Sequence, residues 1–481
     1  MNSTLPEFDL RTLHEPVLGA EALRAAYVAQ QGTIEALVSE NTALKVKIAR
    51  LEKNSSTSSK PPSSDIVKPK AEQRQPGLRK RGGQPGHPGV KRVLPPSESM
   101  DAWRDLPLKA CPDCQHPVSV DPQAPVRVQQ QFELRESPVF ATEFTRPGHF
   151  CPHCRRTVYA PLPEGVRPDE VCGPRLESLI AWLKADLGAS YTKIEAFTRG
   201  ILGVTLARST LCAVVRRASE GLRESVETLE RAVPTQASLH VDETGWKTAG
   251  QRRWVWVFCN PALCFMTVAS RGAVELRSVL GDSFAGALHS DFYGPYTAYP
   301  SDTKQFCLAH LIRDVKFLTT LPPGPTRDWG TRILAPFRPL FRAWNARDDA
   351  PPEASRSAME AARSALKREL DEDPPPRGFG LNLYDRMHKH WESLFRFIDD
   401  PALYSPTNNA AERQLRPLIL LRSATQGSRS DWGEAWIGHS QTVLQTCRLQ
   451  HRSAWTFFCD AITAHRLGRP APSLLPTVDP P

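Results

Sequence analysis

The sequence predicts a multidomain chain built around an α/β domain, and three observations lead there. Three acids stand out by position: Asp242 and Asp291 each end a short apolar-polar run, and Glu412 lies in Thr407-Asn408-Asn409-Ala410-Ala411-Glu412-Arg413, which reads as the start of a helix. Two Cys-x-x-Cys pairs lie ahead of the acids. Ahead of those come a heptad-patterned stretch and a basic Ser/Pro-rich stretch.

At 481 residues the chain has room for about three domains of roughly 150 residues each. Hydrophobic residues make up 40%, enough for real cores beside unstructured stretches. The net charge of +9 suits a polyanionic partner, most commonly nucleic acid, although many soluble proteins are mildly basic too. No run approaches the roughly 20 apolar residues of a membrane span, so no membrane partner is expected. Met1 to Glu7 lacks a basic region followed by an apolar core, which argues against a secretory signal and for a cytoplasmic protein. Of eleven cysteines, four sit in the paired units, which points to reduced thiols and metal rather than disulfides.

Residues 18–53 predict a coiled-coil helix. Leu23, Gln30, Leu37, Leu44 and Leu51 fall on one seam, and Tyr27, Ile34, Asn41 and Ile48 on the other. A lone Asn at a seam favours one register of a parallel dimer, and Glu40 with Lys45 and Lys47 with Glu52 are placed to pair between chains. An ordinary amphipathic helix on its own chain is the plainer alternative. A helix of this length is marginal alone, so a partner is implied. Residues 54–100 predict a disordered basic linker, too rich in Ser and Pro to bury a core. It carries nine Lys or Arg between Lys60 and Arg92 against Asp65 and Glu72. The cluster Arg79-Lys80-Arg81 could follow a phosphate backbone without reading bases.

Residues 101–165 predict a zinc-binding segment. Cys111-Pro112-Asp113-Cys114 and Cys151-Pro152-His153-Cys154 can set four thiolates around a structural Zn²⁺. Alternation at Val126, Val128, Gln130, Phe132 and Leu134, then an extended run from Val139 to Phe144, predicts two strands between the knuckles, as in a zinc ribbon. His116 and His153 are possible ligands, but four cysteines complete the site. Residues 173–232 predict helices, with Leu176, Leu179, Ile180 and Leu183 on one face. A break at Gly200 and Gly203 precedes Arg208-Ser209-Thr210-Leu211, consistent with a helix-turn-helix and making Arg208 a candidate DNA contact. Any helical bundle gives the same pattern.

Residues 236–450 carry the expected catalytic domain. One strand ends at Asp242; Arg253–Phe258 and Cys264–Val268 are two more. A helix with Ala273, Leu276 and Leu280 follows, and a fourth strand delivers Asp291. Strand, strand, strand, helix, strand with acids on the first and fourth is the ribonuclease-H-like layout, in which those two strands are neighbours. Glu243 would project to the opposite face. Thr303–Cys307 could form a fifth strand, and His310–Leu321 a helix. Residues 323–405 read as a helical insertion with proline joints. Thr407 or Asn408 could cap the helix of Glu412. Residues 451–481 predict a final helix and a loose, proline-rich tail.

These stretches closely resemble the DDE transposases of bacterial insertion sequences, specifically the insertion-sequence sixty-six family. The resemblance rests on Lys60-Pro61-Pro62-Ser63-Ser64-Asp65, Arg81-Gly82-Gly83-Gln84-Pro85-Gly86-His87, the two cysteine pairs and His240-Val241-Asp242-Glu243-Thr244-Gly245-Trp246. Asp291-Phe292-Tyr293-Gly294-Pro295-Tyr296, Cys307-Leu308-Ala309-His310 and Asn408-Asn409-Ala410-Ala411-Glu412-Arg413 carry it further. It implies a DNA transposase in which Asp242, Asp291 and Glu412 bind Mg²⁺ or Mn²⁺ and catalyse strand cleavage and transfer. It also implies DNA (element ends and target) as partner, a homodimer or higher oligomer, and accessory proteins of the same element. Location would be cytoplasmic, at the nucleoid when DNA-bound. Arg413 and Arg416, beside Glu412, are candidate phosphate contacts, and Trp246, Tyr293 and His310 candidates for positioning DNA. Two alternatives are a zinc-containing regulator with a dead catalytic domain and a nuclease or resolvase that cuts without joining.

Overall fold

A computed structural model describes residues 17–54, 56–57, 95–104, 106, 108–124, 126, 128–135, 138–168, 170–372 and 374–476. The predicted basic cluster Arg79, Lys80 and Arg81 lies outside these residues. The chain divides into a small unit, Lys70–Glu143 with Ile201–Gly203, and a large unit that holds every α-helix and strand among the described residues.

In the small unit, a 3₁₀ turn at Ser97–Ser99 is fastened by Trp103, whose Nε1 donates to Ser97 O at 3.1 Å, and Ala110 bridges Pro117. The two strands expected between the knuckles are absent: among the described residues of 126–144 none is strand. Alternation favours a strand only where a partner ladder and a covering layer exist. Here Val126, Leu134 and Phe140 are exposed instead.

The large unit opens with α1, Val17–Leu51, whose Leu23, Leu37, Leu44, Ile48 and Leu51 stand exposed along the helix. Its end is anchored: the Arg50 guanidinium sits 4.3 Å from the Phe379 ring centroid, and Lys53 sits 4.4 Å from that of Phe317 and 3.7 Å from Asp314. A short antiparallel hairpin, β1 (His149–Cys151) and β2 (Arg156–Val158), carries the second cysteine pair. Helices α2 (Pro174–Ala185), α3 (Tyr191–Gly200) and α4 (Arg208–Ala232) follow. Leu211, Val214, Val215, Ala218, Leu222, Val226 and Leu229 fall at helical spacing on α4, and all are buried.

The central sheet runs β5-β4-β3-β6-β7. Strand β3 (Ser238–Thr248) turns through Ala249 and Gly250, at φ 48° and 84°, into antiparallel β4 (Gln251–Cys259). Two positive-φ residues match the twist of a tight hairpin, and glycine supplies one without strain. Strand β5 (Cys264–Ala269) pairs with β4 and ends the antiparallel half. Helix α5 (Ala273–Leu280) then crosses to β6 (Ala287–Ser290), which lies parallel to β3 on its other side. A short α6 (Gly294–Ala298) leads to parallel β7 (Lys304–Phe306) and then α7 (Leu308–Thr319).

The predicted insertion is five helices: α8 (Pro325–Leu334), α9 (Phe337–Asn345), α10 (Pro352–Glu372), α11 (Phe379–Lys389) and α12 (Trp391–Asp399). Together with α7 and Phe306 of β7 they build a second hydrophobic cluster around Leu311, Val315, Trp329, Leu366, Met387 and Phe395. The chain returns through α13 (Asn409–Thr425), α14 (Asp431–Leu449) and α15 (Ala454–Arg466). Helix α14 seals the edge of the sheet: the hydroxyls of Thr442 and Thr446 accept from the backbone N–H of Met266 and Cys264 at 2.9 and 3.1 Å. Those threonines satisfy donors that an edge strand otherwise offers to other chains.

One hydrophobic core joins α2–α4, the sheet and α13–α15. The helices of 173–232 therefore share their packing with the sheet. The tail expected to be loose is fastened up to residue 476. Leu474 is fully buried, and Pro472 O accepts from Ser225 Oγ at 2.7 Å. At the same end, Arg466 and Arg217 enclose Glu170 and Glu177. Arg217 Nε lies 3.0 Å from Glu177 Oε1, and Arg466 Nη1 lies 2.9 Å from Glu177 Oε2.

Candidate active site

Strands β3 and β6 pair in parallel with His240 opposite His289. Continuing that register by two residues sets Asp242 level with Asp291. Asp242 faces Val257 across the antiparallel pair, and Asp291 follows the last residue of β6. Glu412 stands in the first turn of α13, which packs across β3 and β4. The three carboxyls feel one another. Burial, then Glu243, Asp291 and Glu412, push Asp242 well above the ordinary aspartate range. Burial also raises Asp291 and Glu412, and Arg313 works against that rise in both.

Backbone N–H groups hold the two aspartates by one oxygen each, within β3 for Asp242, which the strand continues past to Thr248, and in the loop after β6 for Asp291. Asp242 Oδ1 accepts from Glu243 N and Asp291 Oδ1 from Tyr293 N, both at 2.8 Å. Glu243 turns toward α5 and α6. Its Oε1 accepts from Arg271 at 3.0 and 2.7 Å, and its Oε2 from the Tyr296 hydroxyl. Arg271 in turn lies 4.1 Å over the Tyr293 ring. Glu412 Oε1 has two cationic or polar neighbours on α7, His310 Nε2 and Arg313 Nη2, each at 3.8 Å.

Four acids thus share a half-buried space with two arginines. Among the described residues no three His, Cys, Asp or Glu side chains are gathered tightly enough to hold an ion. The acids are neighbours through their fields rather than a closed cage. Their chemistry still fits a hard divalent cation: all are oxygen donors, and burial, with a smaller part from neighbouring carboxylates, leaves their charged forms short of solvation that such a cation supplies.

Position is set by a polar network that periodicity did not reveal. Asn408 occupies the N-cap site of α13, but its side chain makes no cap bond, contrary to the expectation. Instead Asn408 Oδ1 accepts from His240 Nδ1 at 3.0 Å and Nδ2 donates to Val241 O at 2.8 Å, while its backbone N–H reaches Cys307 Sγ at 3.1 Å. Burial holds His240 down to about 4 and His289 to about 3, and the two neutral rings stack at 4.1 Å. Asn408 therefore ties the start of α13 to the strand that carries Asp242. The far end of α13 is tied to the same strand, since Ser428 N donates to Lys247 O and Ser428 O accepts from Ala249 N.

The other candidates are more scattered. Arg413 and Arg416 are exposed on α13. Arg208 is exposed at the start of α4, 3.6 Å from Glu195. Trp246 cannot position DNA: it is buried, and its Nε1 donates to Ser428 Oγ at 3.0 Å. His310 is also buried, with Nδ1 lacking a partner among the described residues. Cys111 and Cys114 lie in the small unit, Cys151 and Cys154 in the large one. Each pair forms a tight loop that aims backbone N–H groups at its first sulfur. Those of Cys114 and Asp113 lower the Cys111 thiol, and that of Cys154, 3.5 Å from Cys151 Sγ, lowers Cys151. Thiols eased toward thiolate suit metal ligation.

Fold and site together define a multidomain α/β protein with a mixed sheet, many helices and an acid cluster where two parallel strands meet a third element. The chain belongs to the IS66 transposase family: the family described as "Transposase IS66 family" matches residues 170–435. A second match, to a family of unknown function (DUF6444), spans residues 10–93. The chain is also similar to "Uncharacterized protein y4hP" of Sinorhizobium fredii (strain NBRC 101917 / NGR234), 26% identical over 361 residues. That match spans 66% of this chain and 64% of the relative.

Sequence reading missed Arg271, Arg313 and Asn408 as parts of the site. His310 and Arg313 did carry a signal, since polar groups three apart on a helix share a face. Arg271 carried none, because its partner is distant in sequence, and Asn408 was legible as a cap candidate but not as the partner of His240 and Val241.

Proposed function

We propose that the protein is a DDE transposase with a ribonuclease-H-like catalytic domain. Asp242, Asp291 and Glu412 bind Mg²⁺ or Mn²⁺, and the chain cuts DNA at element ends and joins them to a target. The parallel pairing of β3 with β6, which levels Asp242 with Asp291 beneath the helix of Glu412, carries this reading. The sheet order, three antiparallel strands followed by two parallel ones, supports it.

The bound ion would activate the attacking hydroxyl and stabilise the leaving oxygen. The chain's own groups do the rest. Backbone N–H groups of Glu243 and Tyr293 orient the two aspartates. The Asn408 network fixes the start of the Glu412 helix. The exposed Arg413 and Arg416 meet phosphate on the same helix. In the first step water attacks phosphorus and a 3′-oxygen leaves as a hydroxyl; in the second that 3′-hydroxyl attacks a target phosphate, whose own 3′-oxygen leaves and takes up the proton. Cys111 with Cys114 and Cys151 with Cys154 are ligand pairs for structural zinc, and the exposed seam of α1 pairs with a second copy to bring two ends together. The linker cluster Arg79-Lys80-Arg81 adds sequence-independent DNA contact, and Arg208 is a DNA contact of the helix-turn-helix-like segment. No helix among the described residues is long and apolar enough to cross a membrane.

The test is cleavage and joining by purified protein on DNA carrying the sequences that flank the coding region, with Mg²⁺. Asp242→Asn, Asp291→Asn and Glu412→Gln should each lower cleavage by about a thousandfold or more while leaving DNA binding intact, and the triple variant should be no worse than the singles, as expected of groups acting as a unit. Robust cutting by any single variant sinks the assignment, and cutting without joining reduces the protein to a nuclease.

A further inference from the structure

Two arginines offset the acid cluster, and they are held in different ways. Arg271 is committed, with two hydrogen bonds to Glu243 and its guanidinium stacked on Tyr293. Arg313 makes no side-chain hydrogen bond among the described residues. It meets Glu412 Oε1 only at 3.8 Å, and its Nε is buried without a partner. Its side chain is about a quarter exposed, so part of it meets solvent although Nε does not. Burying a guanidinium N–H unsatisfied is costly unless some state of the protein uses it. His310, one helical turn earlier on α7, shares the same Glu412 oxygen and carries a second buried nitrogen without a partner.

We infer that Arg313 has two successive partners. In the metal-free protein it is the counter-charge of Glu412; when a divalent ion takes Glu412, Arg313 passes to a phosphate oxygen of the bound DNA. Arginine suits the second partner because its planar fork matches two phosphate oxygens. The inference rests on the metal-binding reading above.

Removing Arg313 should therefore have opposite effects on metal binding and on cutting. Mn²⁺ binding to the full-length protein is titrated without DNA by calorimetry, for wild type, Arg313→Gln, Arg313→Lys and Asp242→Asn, with circular dichroism to verify folding. Arg313→Gln should bind Mn²⁺ about fivefold more tightly, the weight of one partly exposed ion pair. It should nonetheless cut flanking-sequence DNA about a hundredfold more slowly at saturating Mn²⁺, the scale of one lost transition-state donor. Arg313→Lys keeps the charge, so its Mn²⁺ affinity should stay near wild type while cutting still falls. Unchanged or weaker Mn²⁺ binding by a folded Arg313→Gln overturns the inference alone. If Arg313→Gln does not fold, Arg313→Lys cutting at the wild-type rate overturns it. Wild type that binds no Mn²⁺, or Asp242→Asn that binds as well as wild type, overturns the metal reading and this inference with it.

Discussion

The large unit contains two clusters of acids and arginines with opposite designs. Around Glu177, two acids face two arginines and the hydrogen bonds are saturated. Arg466 also reaches Glu170 at 2.5 Å and Cys172 O at 2.7 Å, and both Arg466 and Glu177 are almost fully buried. Burial still outweighs both guanidinium groups and leaves the Glu177 carboxyl above its ordinary value. Around Asp242, four acids face two arginines, and the contacts of Glu412 are long. The first arrangement pins α2, α4 and α15 together; the second keeps negative charge unspent. The difference teaches that charge count separates the two roles less well than the degree of satisfaction does.

Breaking the saturated cluster should have the larger effect on stability. Arg466→Met leaves two buried acids short of a partner and should cost about 3–5 kcal/mol in urea or thermal unfolding; a loss under about 1 kcal/mol would show that the cluster is not worth what its geometry implies. Breaking the acid-rich cluster should stabilise. The Asp242 carboxyl titrates higher when folded than when unfolded, so the folded protein holds that proton to higher pH. Stability therefore falls as pH rises from the unfolded to the folded value. Asp242→Asn should accordingly raise the melting temperature by an amount equivalent to about 1 kcal/mol at pH 8, a common gain when a functional group is neutralised, and by clearly less near pH 4. An equal gain at both pH values would refute the electrostatic cause. The smallest effect belongs to an exposed control. Arg223 pairs with Glu220 at 3.1 Å and Glu227 at 4.0 Å on the surface of α4, and Arg223→Ala should shift stability by about 0.5 kcal/mol or less.

Legibility followed the range of the interaction. Strand order and the elements that carry Asp242, Asp291 and Glu412 could be read ahead of the structure, because local alternation and helical spacing mark each element. The alternation from Val126 to Leu134 misled for the same reason: it describes a residue's two faces but not whether a ladder partner exists. The tail misled in the other direction. One leucine among prolines, Leu474, has no period, yet it fills a site in the core. The pairings Asn408 with His240 and Arg271 with Glu243 join residues far apart in the chain, and no window on the sequence contains both partners. His310 and Arg313 were within reach, since they share a helix face, but what they face was not.

The insertion leaves and returns at nearly one point. Leu308 N donates to Pro406 O at 2.8 Å, and two residues further on Asn408 is bound to Cys307. Loop closure at that doorway costs little more for a long detour than for a short one, and the helices beyond it pack around a core that they share with α7 and with Phe306 of β7. The detour is also braced further out: the buried side chain of Gln305 on β7 donates to Leu394 O and accepts from Phe397 N of α12, so the lobe is clamped to the sheet at two places and a change in its length is absorbed between the clamps.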